Sequence, residues 1–330
     1  MYELGKTGLM ISRVGFGGIP IQRTDESKIS ALFDALLREG INFIDTARGY
    51  TVSEAYIGRA IEGRRDKFVV ATKSMARTAE AMEKDIEISL SNLQTDYIDL
   101  YQIHNPSMAD LDKVLAPGGA MEALVAAKEA GKIGHIGLTC HLTEVFEKAI
   151  DIPQVETVMF PYNPVETQGE ALIAKCRERG IGFIAMKPLA GGAIENAELA
   201  MRFILQNENV SVVIPGMYCP EEVEANARAT GTLTEADLAE IENLRKTLGT
   251  QFCRRCNYCA PCTAGINIPG VFLFQGYLER YNLGSWAKDR YNAMAKTASD
   301  CIECGVCEGR CPYQLPIREM MKKAAHAFGK

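Results

Sequence analysis

Eight short apolar runs, separated by amphipathic helical stretches, fill residues 1–250 and limit what this chain can fold into. The runs are SRVGFGG, INFIDTA, KFVVATK, YIDLYQIH, KIGHIGLT, TVMFPYN, GIGFIAMKP and VSVVIPG. Between them lie stretches such as SKISALFDALLREG, AEAMEKDIEISLSNL and GEALIAKCRERG. Several close on Gly, which a helix C-terminus prefers because glycine takes up a left-handed conformation without strain. Eight strand-then-helix units predict an α/β fold with a parallel sheet closed as a (β/α)8, or TIM, barrel. A doubly wound open sheet would want a GxGxxG turn opening its first helix, and GFGGIP is not one. YELGKTGLMI places a Gly-containing turn between two strand-like pieces, which predicts a hairpin before the barrel. Two further helices are expected around PEEVEANARA and TEADLAEIENLRKTL.

At Gln251–Cys253 the composition changes, and the chain is expected to divide there into a barrel, residues 1–250, and a small all-α domain, residues 251–330. Of eleven cysteines, Cys140, Cys176 and Cys219 are scattered, while the other eight crowd into 253–311. Residues 251–330 carry 11 Lys+Arg against 6 Asp+Glu, a formal +5 in a chain of formal charge −6. A basic nucleic-acid patch would need a reader motif, which the region lacks, so no nucleic-acid partner is expected. No apolar stretch is long enough to span a bilayer. MYELGKTGLM is not a secretory signal, so a cytoplasmic setting and no membrane partner are expected. In a reducing compartment this many cysteines argue for metal ligation over disulfides.

The spacing names the metal centre. Cys301, Cys304, Cys307 and Cys311, followed by Pro312, reproduce the bacterial ferredoxin pattern CxxCxxCxxxCP. There three close cysteines hold one cluster and the fourth reaches another. Structural zinc favours two separated CxxC pairs, whereas cysteines at i, i+3 and i+6 suit three irons of one cubane. The upstream run, CRRCNYCAPCT, supplies Cys253, Cys256, Cys259 and Cys262, with its last interval one residue short and Thr263 in place of proline. Eight thiolates match two [4Fe–4S] clusters, whose negative charge would offset much of the local basic excess. Two assignments of the upstream run are open. Either Cys253, Cys256 and Cys259 form the close trio with Cys262 as distant ligand, or Cys256, Cys259 and Cys262 form it and Cys253 is the outlier. GINIP and YQLPI echo each other downstream of the two runs and suggest two pseudo-equivalent halves. The connection VFLFQGYLERYNLGSWAKDRYNAMAK reads as helix with a break near Gly284.

In a (β/α)8 barrel the reacting groups sit at the C-terminal ends of strands. Asp45 ends the second strand, with Tyr50 in the loop beyond it; Lys73 ends the third and His104 the fourth. Singly these read as a helix cap, a packed ring, a surface charge and a satisfied strand end. On adjacent strands they form a proton-transfer group. Tyrosine is a weak acid, with an unperturbed pKa of about 10. A neighbouring ammonium favours its phenolate, a carboxylate can hold that ammonium, and a histidine can orient a carbonyl oxygen.

YELGKTGLMISRVGFGG, FIDTARGYTVSE, ATKS and DLYQIHNP together resemble the aldo-keto reductase family in order and spacing, from residue 2 to about residue 229. The resemblance implies a catalytic tetrad of Asp45, Tyr50, Lys73 and His104, with Tyr50 as general acid/base, and a nicotinamide cofactor, NAD(P)(H), across the top of the barrel. It places cofactor contacts at Thr139 and Cys140, where the family usually has Ser-Asn, and at Asn163 of PYNP. Met159 stands where a glutamine is usual. Met186, in the MKPLAGG stretch with Lys187, Pro188 and Leu189, stands where an aromatic often stacks on the nicotinamide. Around the 2′-phosphate the family often has Lys-Ser and an Arg. Here Gly216, Met217 and Glu222 match them, with Asn226 retained, which puts an NADP preference in doubt. The fusion resembles aldo-keto reductases that carry a C-terminal dicluster domain of α-helical ferredoxin type.

The expected protein is an oxidoreductase interconverting a small-molecule carbonyl and an alcohol, with a ferredoxin or flavoprotein as electron partner. Two other readings stand beside it: an electron-transfer or redox-sensing protein with a vestigial barrel site, and clusters that only brace the fold.

Overall fold

Each of the eight apolar runs contains a strand. The computed structural model describes residues 1–249, 251–255, 258–281, 283–311 and 313–329. Cys256 and Pro312 of the two cysteine runs lie outside the described residues. Strands β1 (Tyr2–Glu3) and β2 (Met10–Ile11) pair antiparallel as the expected hairpin, Tyr2 opposite Ile11. The eight parallel strands follow in sequence order: β3 (Phe16–Gly17), β4 (Phe43–Asp45), β5 (Val69–Ser74), β6 (Ile98–His104), β7 (Ile133–Thr139), β8 (Thr157–Pro161), β9 (Gly182–Met186) and β10 (Val212–Ile214). Parallel bridges Val14–Val213 and Gly17–Gly216 bring the two edges of the sheet together. Gly17 N donates to Pro215 O at 2.8 Å and Val213 N to Arg13 O at 2.9 Å, so the sheet closes into a (β/α)8 barrel.

The helices of the barrel region are α1 (Ile29–Arg38), α2 (Ser53–Ala60), α3 (Ala79–Leu93), α4 (Met108–Leu115), α5 (Ala120–Glu129), α6 (Thr143–Ala149), α7 (Glu170–Arg179), α8 (Ala197–Leu205) and α9 (Pro220–Ala227). Their ends follow local chemistry. Thr78 caps α3 through Ala81 N, Ser107 and Asp110 form a reciprocal capping box on α4, and α7 stops at Gly180 with φ 73°. Strand alternation divides the apolar residues into two cores. Phe43, Ala71, Leu100, Met159, Ile184, Val212 and Ile214 fill the barrel interior together with Leu4 and Ile11 of the hairpin region. The opposite strand faces pack on the helices, as with Ile44, Val70, Tyr101, Ile103, Leu138 and Phe160.

Contacts along the chain form two compact units. The first comprises Met1–Asn163, Thr167–Pro188 and Asn196–Thr232; the second comprises Pro164–Glu166, Leu189–Glu195 and Leu233–Lys330. The second unit is helical: α10 (Glu235–Gly249), α11 (Ile268–Glu279), α12 (Gly284–Asn292), α13 (Val306–Arg310) and α14 (Ile317–Ala327). The long connection breaks where its sequence suggested, with Gly284 opening α12. GINIP and YQLPI lead into matching helices, since α11 starts six residues after Cys262 and α14 six residues after Cys311. Val271, Phe272, Tyr291, Leu315, Ile317, Met321 and Ala324 form this unit's core. Tyr291 stacks on Phe328 at 3.7 Å and its hydroxyl accepts from Ala298 N at 2.9 Å. Arg254 Nε donates to Val165 O, Arg255 pairs with buried Glu166 at 3.0 Å, and Arg280 Nε donates to Gly191 O, which ties the two short loop segments into the unit.

Candidate functional site

On β4, β5 and β6 the interior face turns from apolar to polar toward the C-terminal ends of the strands. Two residues beyond Phe43, Ala71 and Leu100 come Asp45, Lys73 and Gln102, and His104 follows Gln102. They form one network. Lys73 Nζ donates to Asp45 Oδ2 at 2.5 Å and to Thr46 O at 2.7 Å, while Gln102 Nε2 donates to Asp45 Oδ1 at 3.1 Å. Asp45 and Lys73 are 3% and 2% exposed, so neither charge is solvated by water and each depends on the other. Burial draws the Asp45 carboxyl up and the Lys73 ammonium down, and their mutual contact opposes both shifts.

The half-buried Tyr50 joins this network from the loop after β4. Its ring centroid lies 5.0 Å from Lys73 Nζ and 6.1 Å from the His104 ring, which stands perpendicular to it. Burial pushes His104 down to about 3, with the positive charges of Lys73 and Arg77 acting in the same direction, so its imidazole is neutral at ordinary pH. Its Nδ1 has no hydrogen-bond partner among the described residues.

The tyrosine loop is anchored at several points. Tyr50 N donates to Ala47 O, Ser53 N to Tyr50 O, and Arg48 N to Lys73 O at 3.0 Å. Ser53 Oγ donates to Gly18 O, and Gly18 N to Asp45 O. A Cβ on Gly18 would stand 2.8 Å from Asp45 O, which is why the chain carries glycine just after β3, where it passes Asp45. Behind the sheet Glu54, 2% exposed, accepts from Thr72 Oγ1 (2.7 Å), Ser89 Oγ (2.8 Å), Asn92 Nδ2 (3.0 Å) and Arg48 (3.1 Å). That carboxylate fastens the loop carrying Tyr50 to the strand carrying Lys73.

In the second unit, the described cysteines divide between two cavities. Cys262, Cys301, Cys304 and Cys307 line one; Cys253, Cys259 and Cys311 line the other. All are free thiols. Among the described residues, no three Cys, His, Asp or Glu side chains converge closely enough to ligate a single ion. Tetrahedral zinc would need sulfurs about 3.8 Å apart, given a Zn–S bond of about 2.3 Å. Four cysteines on one cavity wall and three on the other match the all-thiolate donor set of an iron–sulfur cubane. Thr263, standing where proline was expected, has its Oγ1 3.6 Å from Cys304 Sγ.

Comparison with known proteins bears on both units. The aldo/keto reductase family description matches residues 13–198, more than half of the chain. The chain belongs to the aldo/keto reductase family. The description of the 4Fe-4S dicluster domain matches residues 252–316. L-galactose dehydrogenase of Arabidopsis thaliana is 27% identical over 296 residues, covering 72% of this chain and 92% of that protein. The holo form of aldo-keto reductase AKR11C1 from Bacillus halodurans aligns with a TM-score of 0.65 at 26% identity, over 73% of this chain and 95% of that one. An aldo-keto reductase from Klebsiella pneumoniae, solved in complex with NADPH, has the same fold at 24% identity, with a TM-score of 0.63 over 71% and 91% of the two chains.

This aldo/keto reductase is therefore an oxidoreductase of a family that uses NAD(P)(H), and it carries an iron–sulfur domain. The residues expected from the sequence to meet a nicotinamide cofactor differ in character. Thr139, at the end of β7, accepts from Asn105 N at 3.1 Å. Cys140 is fully buried in the core between sheet and helices, and burial raises its thiol well above the usual range, with Cys176 adding to the effect. Asn163, also buried, donates to Lys187 O at 2.9 Å and so holds the MKPLAGG turn, where Lys187 takes a φ of 58°. Met159 lies in the barrel interior and half-buried Met186 packs against that core; Pro188 is buried, and Leu189 opens a segment of the second unit. Gly216 is exposed. Asn226 donates to Glu222 O, while Glu222 accepts from Tyr218 N at 2.9 Å. Glu221 and Glu222 occupy the first turn of α9.

Three participants escaped the reading of the sequence. Gln102 was detectable, because it lies two residues before His104 on β6 and alternation puts both on one face. Glu54 carried no such signal, since its donors come from β5, α3 and the tyrosine loop. Arg23 escaped as well; its guanidinium lies 4.3 Å from the Tyr218 ring centroid, beside the loop where the sequence showed only an acidic residue.

Proposed function

We propose that the chain interconverts a carbonyl and an alcohol at Tyr50, with NAD(P)(H) as redox partner, and carries two [4Fe–4S] clusters for one-electron exchange. The observation that supports this most is the placement of Lys73 Nζ, held by Asp45 and Thr46 and 5.0 Å from the Tyr50 ring. A bound nicotinamide supplies hydride at the carbonyl carbon. Tyr50 gives its hydroxyl proton to the carbonyl oxygen, and the phenolate left behind is stabilised by the Lys73 ammonium. Asp45, fixed by Gln102, keeps that ammonium in place. Neutral His104 donates a ring N–H to the same carbonyl oxygen without adding a charge. In the reverse direction the Tyr50 phenolate removes the alcohol proton.

Thr139, Asn163 and the Met186–Leu189 turn are the proposed nicotinamide contacts, with Gly216 and Asn226 toward the adenosine end. The enclosed thiol of Cys140 takes no part. Two carboxylates in the first turn of α9, Glu221 and Glu222, outnumber the nearby guanidinium of Arg23 and disfavour a 2′-phosphate, so NADH is the proposed partner over NADPH. For the clusters, Cys301, Cys304 and Cys307 with Cys262 form one set. Cys253, Cys256 and Cys259 with Cys311 form the other, which selects the first of the two assignments the sequence left open. The exchange of fourth ligands absorbs the short interval before Cys262, whose reach is set by packing of the two halves.

Anaerobically purified protein is expected to hold about eight irons and eight sulfides per chain. It is expected to reduce aldehydes such as 4-nitrobenzaldehyde with NADH. Lys73→Met is expected to lower that rate by about 100-fold or more with iron content unchanged. Full activity in the variant would overturn the reading.

A further inference from the structure

The two cysteine cavities have equivalent frames. Cys253 and Cys301 open their runs, Cys259 and Cys307 follow at the same distance, and Cys311 and Cys262 complete the opposite cavity. Superposing the halves by sequence position shows two wall positions whose chemistry is exchanged. The residue after the first cysteine is Arg254 in one half and Ile302 in the other. The residue seven places after the fourth cysteine is Pro269 in one and Arg318 in the other. All four line their cavities.

The two arginines are held differently. Arg318, on the cavity whose Cys304 and Ile302 are exposed, is itself exposed, and its guanidinium pairs with Glu308 at 2.8 Å. Arg254 is 8% exposed, donates to Val165 O at 3.1 Å, and stacks over the Tyr313 ring at 3.9 Å. Its neighbour Arg255 is paired with Glu166. A fixed cation in a wall shielded from water acts at low effective dielectric, whereas an exposed one is screened.

We propose that Arg254 is the residue that sets the reduction potential at the Cys253 cavity, and that Ile302 leaves the equivalent position at the Cys301 cavity without charge. Adding one electron to a cubane with four thiolates makes its net charge one unit more negative. The Arg254 guanidinium stabilises that reduced form and raises the potential of its site alone. Two sites with the same ligand chemistry are thereby separated in potential, which gives single electrons a preferred resting place. This inference rests on the proposal that the domain holds two clusters.

The test is a potentiometric titration of the full chain with dithionite, followed by electron paramagnetic resonance, with iron and sulfide counted in every sample. In Arg254→Met one midpoint is expected to move to a more negative potential while the other stays. In Ile302→Arg the other midpoint is expected to rise, by less, with the rise shrinking as salt is added. Unchanged midpoints in an Arg254→Met protein with full iron content would overturn the proposal, as would both moving together. Should Arg254→Met fail to assemble its cluster, Ile302→Arg decides, and no rise at low salt overturns it. Fewer than two clusters in the unsubstituted protein would instead refute the two-cluster reading on which the inference stands.

Discussion

The barrel site and the cysteine cavities are built on opposite principles. Asp45, Lys73, Gln102 and His104 ride on β4, β5 and β6, whose register is fixed by parallel pairing and by an apolar interior directly beneath them. Their geometry is set by the strands that carry them. The cysteines instead ride largely on loops and a short helix, and they belong to their own unit's core. Cys259 is a buried core member, and Cys253, Cys262, Cys301, Cys307 and Cys311 pack against that core. A region whose proposed ligands are also its packing residues is expected to depend on the bound group for stability, as small metal domains do. A region whose candidate catalytic groups stand on paired strands keeps its frame through the sheet and the apolar interior.

The most severe way to probe this difference is Cys262→Ser with Cys311→Ser, which removes one thiolate from each cavity. Nearly complete loss of iron is expected, with the residues after about 250 becoming sensitive to protease while the barrel resists. Retention of a protease-resistant C-terminal region without iron would show that its fold does not need the clusters. In the barrel the comparable weak point lies behind the site. Glu54→Gln removes the charge that holds Arg48, Thr72, Ser89 and Asn92, and breaking such a buried pair costs about 3–5 kcal/mol. The thermal transition of the barrel should fall while cluster content stays constant. A transition within a degree of the parent would deny that this carboxylate fastens the tyrosine loop.

A smaller effect is expected at His104, whose pKa of about 3 keeps the ring neutral well below its ordinary titration range. Because the folded value lies below the unfolded one, protonation favours the unfolded chain. The resulting stability is complete above about pH 6.5 and is lost as pH falls toward 3. The chain has only four histidines, so the His104 ring proton can be assigned by its disappearance in His104→Gln. Its resonance should stay at the neutral position from pH 8 to pH 5. A midpoint near 6.5 would contradict the enclosed, neutral ring.

The sequence made the barrel readable because strand ends and helix caps are local features. The eight runs each produced a strand, and Asp45, Lys73 and His104 fall on β4, β5 and β6 as expected from where those runs end. Lys73 could not be recognised as buried from its neighbours in the chain, since the carboxylate that keeps it charged comes from another strand. Glu54 stayed hidden for the same reason. Among the proposed cofactor positions, Thr139 and Cys140 adjoin in sequence. Alternation puts the cysteine into the core with Cys176, which a residue-by-residue match does not reveal. In the tail, the spacing of the runs was plain, but the sorting of Cys262 and Cys311 to opposite cavities depends on how two halves pack. Spacing along the chain leaves that open.

Tyr50 is the proposed proton donor of the barrel site. The direct measurement is the rate of alcohol formation from 4-nitrobenzaldehyde and NADH by Tyr50→Phe and by the parent protein, with iron and sulfide equal in both. A loss of about 100-fold to 10,000-fold is expected, the range that a positioned general acid supplies. Equal rates in the two proteins would contradict the account.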